Sequence, residues 1–128
     1  MQAANCDVAC ADSVSVDAVL NANTAASGLG GATVTLCQNA ACASGLLQSD
    51  GTTMVASLGG QFHTEMTLTH GMLQAFTPGV TALVDGDVWS VKVVSASGAT
   101  LFDASSKVTY EAFSACVGTC KRADVTLN

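Results

Sequence analysis

Short stretches in which apolar and polar residues alternate run along most of this 128-residue chain. From Ser13 to Leu20, for example, every second residue is apolar, which gives a β-strand one buried side and one side that faces solvent. Comparable stretches return after about ten residues, with Gly, Asn, Asp or Ser between them. Because no stretch combines a helical period with helix caps, the pattern predicts an all-β fold: an antiparallel β-sandwich of about nine to ten short strands.

The alternation also predicts where the strands lie. They are Ser13–Leu20, Ala32–Leu36, Ala43–Gln48, Thr53–Leu58, Phe62–Leu68, Met72–Phe76, Val80–Val84, Val88–Val94, Thr100–Phe102 and Arg122–Leu127. Val108, Tyr110 and Ala112 mark a further inward-facing stretch. We expect a single β-sandwich domain spanning residues 1–128, in which residues 1–12 form an irregular arm tied down by disulfides.

The stretch from Asp85 to Val94 is predicted to be the centre of the fold. It opens with a turn signal, Asp-Gly-Asp, and then places Trp89, Val91 and Val93 on one side of a strand. Trp89 is the one tryptophan of the chain, and a tryptophan buries on the order of 200 Å². We therefore expect two sheets to meet on this side chain.

Composition and charge exclude a disordered chain and argue against several classes of partner. Hydrophobic residues make up 49% of the chain and charged residues 11%, which excludes a disordered protein. The net charge is −6, and no basic residues cluster beyond the pair Lys121 and Arg122. Nucleic acid and anionic membrane surfaces are therefore not expected as partners. No run reaches the ~20 apolar residues of a membrane helix, so membrane insertion is not expected either.

The six cysteines form three pairs along the sequence. They are Cys6 and Cys10, Cys37 and Cys42, and Cys116 and Cys120. An even number of cysteines on a weakly charged chain favours disulfides, and thus a secreted or cell-surface protein. Met1 to Asn5 lacks the features of a signal peptide, so we interpret it as a start residue placed on a processed sequence. The alternative is a zinc site built from the four terminal cysteines, which leaves Cys37 and Cys42 unexplained.

The spacing of Cys37 and Cys42 suits a hairpin loop closed by its own disulfide. The terminal pairs each precede a strand, the first and the last. If those two strands lie side by side, the terminal pairs can meet, and we predict bridges Cys10–Cys120 and Cys6–Cys116. Bridges within each terminal pair are the alternative.

Three features of the sequence resemble a known group of proteins: the paired cysteines near both ends, the segment from Gly31 to Asn39 followed by Cys42, and the segment from Asp85 to Val91. The chain resembles small exported immunoglobulin-like proteins of Gram-negative soil bacteria, mostly of unknown function. The Gly-Ala-x-Val-Thr-Leu stretch is also similar to the start of Cna-B-like and carboxypeptidase-regulatory-like sandwiches. The resemblance implies an immunoglobulin-like fold and an exported setting, with no activity. The early strand lacks the lysine of a Cna-B-like isopeptide bond.

Few residues suggest catalysis or metal binding. Asp85 and Asp87 flank a glycine and are the only calcium candidates, although turn-forming aspartates are commoner and Ca²⁺ takes six to eight oxygens. His63 and His70 lie seven residues apart, on opposite sides of a regular strand. No Gly-x-Ser-x-Gly nucleophile motif occurs. We therefore expect no enzyme, no cofactor and no firm metal site.

The sequence favours a non-catalytic secreted or cell-surface β-sandwich module for adhesion, matrix building or self-assembly. Its expected partners are proteins or further copies of itself, contacted through exposed edge strands. The alternative is a carbohydrate-binding module, with a glycan as partner. Such a module needs exposed aromatic rings, whereas Trp89, Phe62, Phe102 and Tyr110 all fall on inward-facing positions.

Overall fold

The computed structural model describes residues 12–20, 29–49, 53–78, 83–114 and 119–128, and every element in these ranges is a β-strand. The strands are β1 (Ser13–Val19), β2 (Thr33–Gln38), β3 (Ala41–Ser49), β4 (Met54–Gly60), β5 (Thr64–Thr69), β6 (Met72–Pro78), β7 (Asp87–Val94), β8 (Thr100–Val108), β9 (Glu111–Ser114) and β10 (Thr119–Leu127). The predicted all-β class and strand number are confirmed. No helix in the described ranges is long and apolar enough to cross a membrane.

The ten strands are hydrogen-bonded into one sheet in the order β8-β7-β2-β3-β4-β5-β6-β1-β10-β9. Within the described residues every pairing is antiparallel except that of β1 with β10, which is parallel. The first and last strands therefore lie side by side, as the terminal disulfide prediction requires. The sheet is mixed rather than purely antiparallel, and it is continuous where two separate sheets were expected.

A bend in the β3–β4 pair lets one sheet supply both walls of the core. The two strands pair from Ala43 to Ser44 and again from Leu47 onward, but not in between. At the interruption, a Cβ on Gly45 would lie 2.1 Å from the carbonyl oxygen of Ser57. Only glycine permits this close approach. The sheet is curled, and one hydrophobic cluster joins the buried side chains of β2 and β7 to those of β1, β6 and β10, so these two groups of strands form the walls of the core.

The core lies between these walls and is built mainly from the predicted inward-facing side chains. Trp89 is fully buried, and its neighbours on the same side of β7 are Val91 and Val93. The other large, fully buried side chains are Val14, Val16, Leu29, Val34, Leu36, Gln38, Leu47, Met66, Leu73 and Leu127. The period-2 alternation thus predicted the buried side of most strands, whereas Leu29 and Gln38 lie outside the predicted strands.

Two local predictions differ from the structure. Ala112 is exposed on β9: the alternation of β8 continues as far as Tyr110, which is buried, and ends where β9 begins. The predicted strand Val80–Val84 lies partly outside the described residues, and its last two residues, Leu83 and Val84, are not in a strand. Leu83 is nevertheless buried, so its apolar character reflects core packing and not strand pairing.

The disulfide predictions have different outcomes. Cys37 and Cys42 are joined by a disulfide across the β2–β3 hairpin, as their spacing predicts. Cys120 is buried and also disulfide-bonded. Cys6, Cys10 and Cys116 lie outside the described residues, so the pairing Cys10–Cys120 and Cys6–Cys116 stays a prediction.

Candidate binding surface

Asp87, at the start of β7, is a buried carboxylate surrounded by hydrogen-bond donors. It is 7% exposed. Its Oδ2 accepts hydrogen bonds from Gln38 Nε2 at 3.0 Å, Tyr110 Oη at 2.8 Å and the Val84 backbone N–H at 3.1 Å. Its Oδ1 accepts one from Asn39 Nδ2 at 2.9 Å. Both oxygens are therefore used within the fold.

These contacts change the acidity of Asp87. Burial by itself raises the pKa of this carboxyl group and is the largest single effect. Four hydrogen bonds to the charged form outweigh it and lower the pKa from 3.8 to about 2; they come from Asn39, Val84, Tyr110 and Gln38. Asp87 is thus held as a structural anion, which joins the tip of the β2–β3 hairpin to the start of β7.

Tyr110 continues this network into the core. Its hydroxyl accepts a 2.7 Å hydrogen bond from Trp89 Nε1 and donates to Asp87, while its backbone N–H donates to Asp85 Oδ1 at 2.9 Å. Burial is the largest effect on the pKa of Tyr110, and it raises this pKa. The hydrogen bond from Trp89 lowers the pKa, whereas the hydrogen bond to Asp87 and the charges of Asp87 and Asp85 raise it. The net result is a pKa of about 12. Within the described residues no buried side-chain polar atom lacks a hydrogen-bond partner.

Both calcium candidates form hydrogen bonds within the fold. Asp85 accepts a hydrogen bond from the backbone N–H of Tyr110, and both carboxylate oxygens of Asp87 accept hydrogen bonds from uncharged donors of the protein. His63 and His70 lie at opposite ends of β5, and both are exposed. In the described part of the chain, no three His, Cys, Asp or Glu side chains come together in a way that could hold a metal ion.

The hairpin closed by Cys37 and Cys42 is docked by Asn39. This residue adopts a φ of 53°, in the left-handed region that asparagine tolerates better than most residues. Its backbone N–H donates to Val88 O at 2.7 Å, and its Oδ1 accepts from Val88 N at 2.9 Å. The disulfide closes the hairpin, and Asn39 fixes its tip against β7.

Phe76 is the most exposed of the large apolar side chains in the described ranges, with 70% of its surface accessible. It lies on the outer side of β6, between two neighbouring depressions of about 540 and 400 Å³. We call the two depressions together the outer furrow; it is lined by Ser13, Ser15, Asp17, Glu65, Thr67, Gln74, Ala75, Phe76, Glu111, Arg122, Ala123 and Asp124. The furrow crosses β5, β6, β1 and β10, so its length follows the spacing between strands, roughly 5 Å each.

Strand register brings polar side chains to both sides of Phe76. Ser15 lies opposite Phe76 on one neighbour and opposite Asp124 on the other. Two residues further along, Gln74 lies opposite Asp17 and donates to its Oδ1 at 3.3 Å. The ring thus stands among hydroxyl, amide and carboxylate groups.

The acidic groups of the outer furrow outnumber its cations. Arg122 is held by Glu111, whose Oε1 accepts from Arg122 Nε at 2.8 Å. Glu65 and Asp124 have no hydrogen-bond or ion-pair partner in the described part of the chain, and Asp17 is bonded to an uncharged amide. The field over the furrow therefore favours neutral or cationic ligands over anionic ones.

Sequence reasoning missed Phe76 because the stretch from Met72 to Phe76 reads as a short, mostly apolar strand. A signal was nevertheless present. Gln74 lies two residues before Phe76, on the same side of a strand, and it marks that side as solvent-facing. The buried side is carried by Leu73 and Ala75.

A third surface feature is the outer edge of β8. This strand ends the order of the sheet, and within the described residues only β7 pairs with it. Asp103, Ser105 and Lys107 are exposed along it. Near its end, a cleft of about 410 Å³ separates residues 106–109 from residues 122–126 of β10.

Comparison with known proteins identifies no relative: no protein-family model, no curated protein and no solved structure matches the chain. The resemblance to exported immunoglobulin-like proteins therefore stays a prediction.

Proposed function

We propose that this chain is a non-catalytic secreted or cell-surface module for adhesion or matrix building, and that it acts by binding a glycan in the outer furrow. The proposal rests on one observation, the exposed ring of Phe76 among hydrogen-bonding side chains. It unites the adhesion function expected from the sequence with the carbohydrate-binding alternative. The secreted setting is supported by the disulfides at Cys37–Cys42 and at Cys120.

Phe76 has the exposure that a stacking platform requires. An aromatic face carries partial negative charge and attracts the slightly positive C–H groups of a sugar ring. The buried side of β6 carries Leu73 and Ala75, whereas Phe76 lies on the outer side of the strand. Its outward position leaves an apolar surface that a bound ring can cover.

The polar groups beside Phe76 match the hydroxyl groups of a sugar. Asp17 and Asp124 offer carboxylate oxygens, which accept strong hydrogen bonds, and Gln74 and Ser15 both donate and accept. An extended peptide is a poorer ligand here, because the floor of the furrow consists of side chains and offers no unpaired strand edge for backbone pairing. A pyranose needs only side chains.

Charge selects among glycans. With Asp17, Glu65 and Asp124 uncompensated, the furrow repels uronic acids and sulfated sugars. Neutral glycans meet no such barrier, and free amino groups add attraction. The expected order of affinity is glucosamine oligomers, then N-acetylglucosamine oligomers and cello-oligosaccharides, with alginate and heparin oligosaccharides last.

The test is calorimetric titration of the full chain with hexamers of glucosamine, of N-acetylglucosamine and of glucose, with an alginate hexamer as the anionic probe. Phe76→Ala should weaken binding by at least about fivefold, because stacking is lost, whereas Phe76→Tyr should retain it. Leu46→Ala is the matched control, since Leu46 is also an exposed apolar side chain and does not line the furrow.

Binding of none of these oligosaccharides would contradict the proposal. Equal losses in Phe76→Ala and Leu46→Ala would contradict it as well. A lysine hexapeptide that binds as tightly as the glucosamine hexamer, with no effect of Phe76→Ala on either, would reduce the furrow to a site of nonspecific charge attraction.

A further inference from the structure

We propose that the outer edge of β8 pairs with the same edge of a second copy of this chain, in one antiparallel register centred on Ser105. This inference concerns self-association and is independent of the outer furrow. It rests on the unpaired edge of β8 and on the order of the charges along it. An exposed strand edge presents unpaired N–H and C=O groups, which is a template for a further strand.

The charges of β8 are self-complementary in that register. In an antiparallel pair centred on Ser105, Asp103 lies opposite Lys107 of the second copy, and Lys107 lies opposite Asp103 of the second copy. Both pairs lie on the exposed side of the sheet, where directly opposed side chains come within contact distance. Moving the register by two residues in either direction breaks both pairs, so the charges select one alignment.

The neighbouring strand extends the same pattern. Lys92 of β7 lies opposite Asp103 of β8, so the dimer would carry a row of alternating charge: Lys92, Asp103 and Lys107 of the second copy. On the inner side, the same register sets Ala104 opposite Ser106 of the second copy, two small side chains that do not clash. The pairing therefore fits both sides of the sheet.

The backbone of β8 is regular over the length that the pairing needs. Its pairing with β7 is in step from Phe102 to Val108, and the shift in register occurs before this segment, at Val93 and Val94 of β7. At that end, residues 106–109 border a cleft of about 410 Å³ whose other wall is β10, and among the described residues β8 forms no strand pairing with β10. An antiparallel pair of identical strands has two-fold symmetry, so the contact closes as a dimer and does not grow into a filament.

A single pair of strands buries little surface compared with a standard protein interface, so the dimer is expected to be weak and its population to depend on concentration. Sedimentation equilibrium over a wide concentration range measures it. The variants are made in a Lys92→Gln background, which removes the cation beside Asp103 on β7. Without that change, reversal of Asp103 would also place two lysines opposite each other within one chain.

In this background Asp103→Lys and Lys107→Asp each set like charges opposite each other at both ends of the strand pair. Each should weaken dimerisation by at least about tenfold. The double variant Asp103→Lys/Lys107→Asp restores opposite charges at both positions and should recover the dimer. Glu65→Lys is the control, because it makes the same change in net charge away from β8.

A chain that stays monomeric at every concentration would overturn the proposal. So would a double variant no better than the single ones, or a Glu65→Lys variant as weak as Asp103→Lys. Asp103 and Lys107 lie outside the outer furrow, so a loss of dimerisation with intact sugar binding in their variants concerns the β8 edge alone, and the reverse result concerns the outer furrow alone.

Discussion

The indole Nε1 of Trp89 donates a 2.7 Å hydrogen bond to the hydroxyl of Tyr110, which in turn donates to the buried carboxylate of Asp87. The largest side chain of the core is therefore tied to its one buried carboxylate through a single phenol, among the described residues. The start of β7 therefore supplies both the largest buried apolar side chain and a buried carboxylate that is fully hydrogen-bonded.

Truncating the side chain of Trp89 should strongly destabilise the protein. Trp89→Ala removes the largest fully buried side chain and leaves a cavity between the two walls, which should cost about 3 to 5 kcal/mol of the free energy of unfolding. Urea unfolding followed by circular dichroism measures the loss. In the wild type, tryptophan fluorescence should be blue-shifted and resist iodide quenching; a red-shifted, readily quenched signal would contradict this burial.

The phenol of Tyr110 should contribute separately from its ring. Tyr110→Phe keeps the packing but leaves Trp89 Nε1 and Asp87 each without one partner, so we expect a loss of about 1 to 3 kcal/mol in the free energy of unfolding. Combining Tyr110→Phe with Asp87→Asn in a double-mutant cycle measures the coupling. Additive losses would show that the two side chains do not act as one network.

The lowered pKa of Asp87 predicts a loss of stability in acid. Because the pKa of Asp87 in the folded state, about 2, lies below the ordinary 3.8, its contribution to stability is complete above about pH 5 and disappears as the pH falls toward 2. The difference corresponds to roughly 2 kcal/mol. Unfolding measured between pH 5 and pH 2 should show this decline, and Asp87→Asn should flatten it. An unchanged slope in that variant would assign the acid sensitivity to other carboxylates.

Gly45 should tolerate no side chain. Its Cβ would lie 2.1 Å from Ser57 O, so Gly45→Ala must separate β3 and β4 at the bend, and a loss of more than about 3 kcal/mol is expected. Gly30→Ala is the control, because the nearest atom to its added Cβ is Met54 Cε at 3.9 Å. Equal melting temperatures for the two variants would contradict the role of Gly45.

The disulfides should differ in importance. In the chain-entropy model, the Cys37–Cys42 bridge closes a short loop and contributes about 2 kcal/mol, whereas a bridge joining the two ends of the chain contributes about 5 kcal/mol. Melting temperatures of Cys37→Ala/Cys42→Ala and of a Cys10→Ala/Cys120→Ala variant compare them. Non-reducing peptide mapping tests the terminal pairing directly, and recovery of Cys6 joined to Cys10 would refute it.

Much of the fold could be predicted from the sequence, because the period of a strand is local. Alternation alone placed Val14, Val16, Trp89, Val125 and Leu127 on the buried side, and the spacing of two cysteines predicted the hairpin bridge. The same alternation indicates that Phe76 is exposed, because Gln74 lies on the same side of the strand. The apolar composition of this stretch concealed that signal.

Only the tertiary structure decided what depends on distant partners. Asp87 reads as a turn residue, and its role as a buried anion comes from Gln38 and Asn39, which lie 49 and 48 residues away along the chain. The order of strands, the parallel contact of β1 with β10 and the unpaired edge of β8 are likewise non-local. A strand's own residues determine which side it buries, but not which strand it pairs with, because backbone hydrogen bonds are the same for every partner.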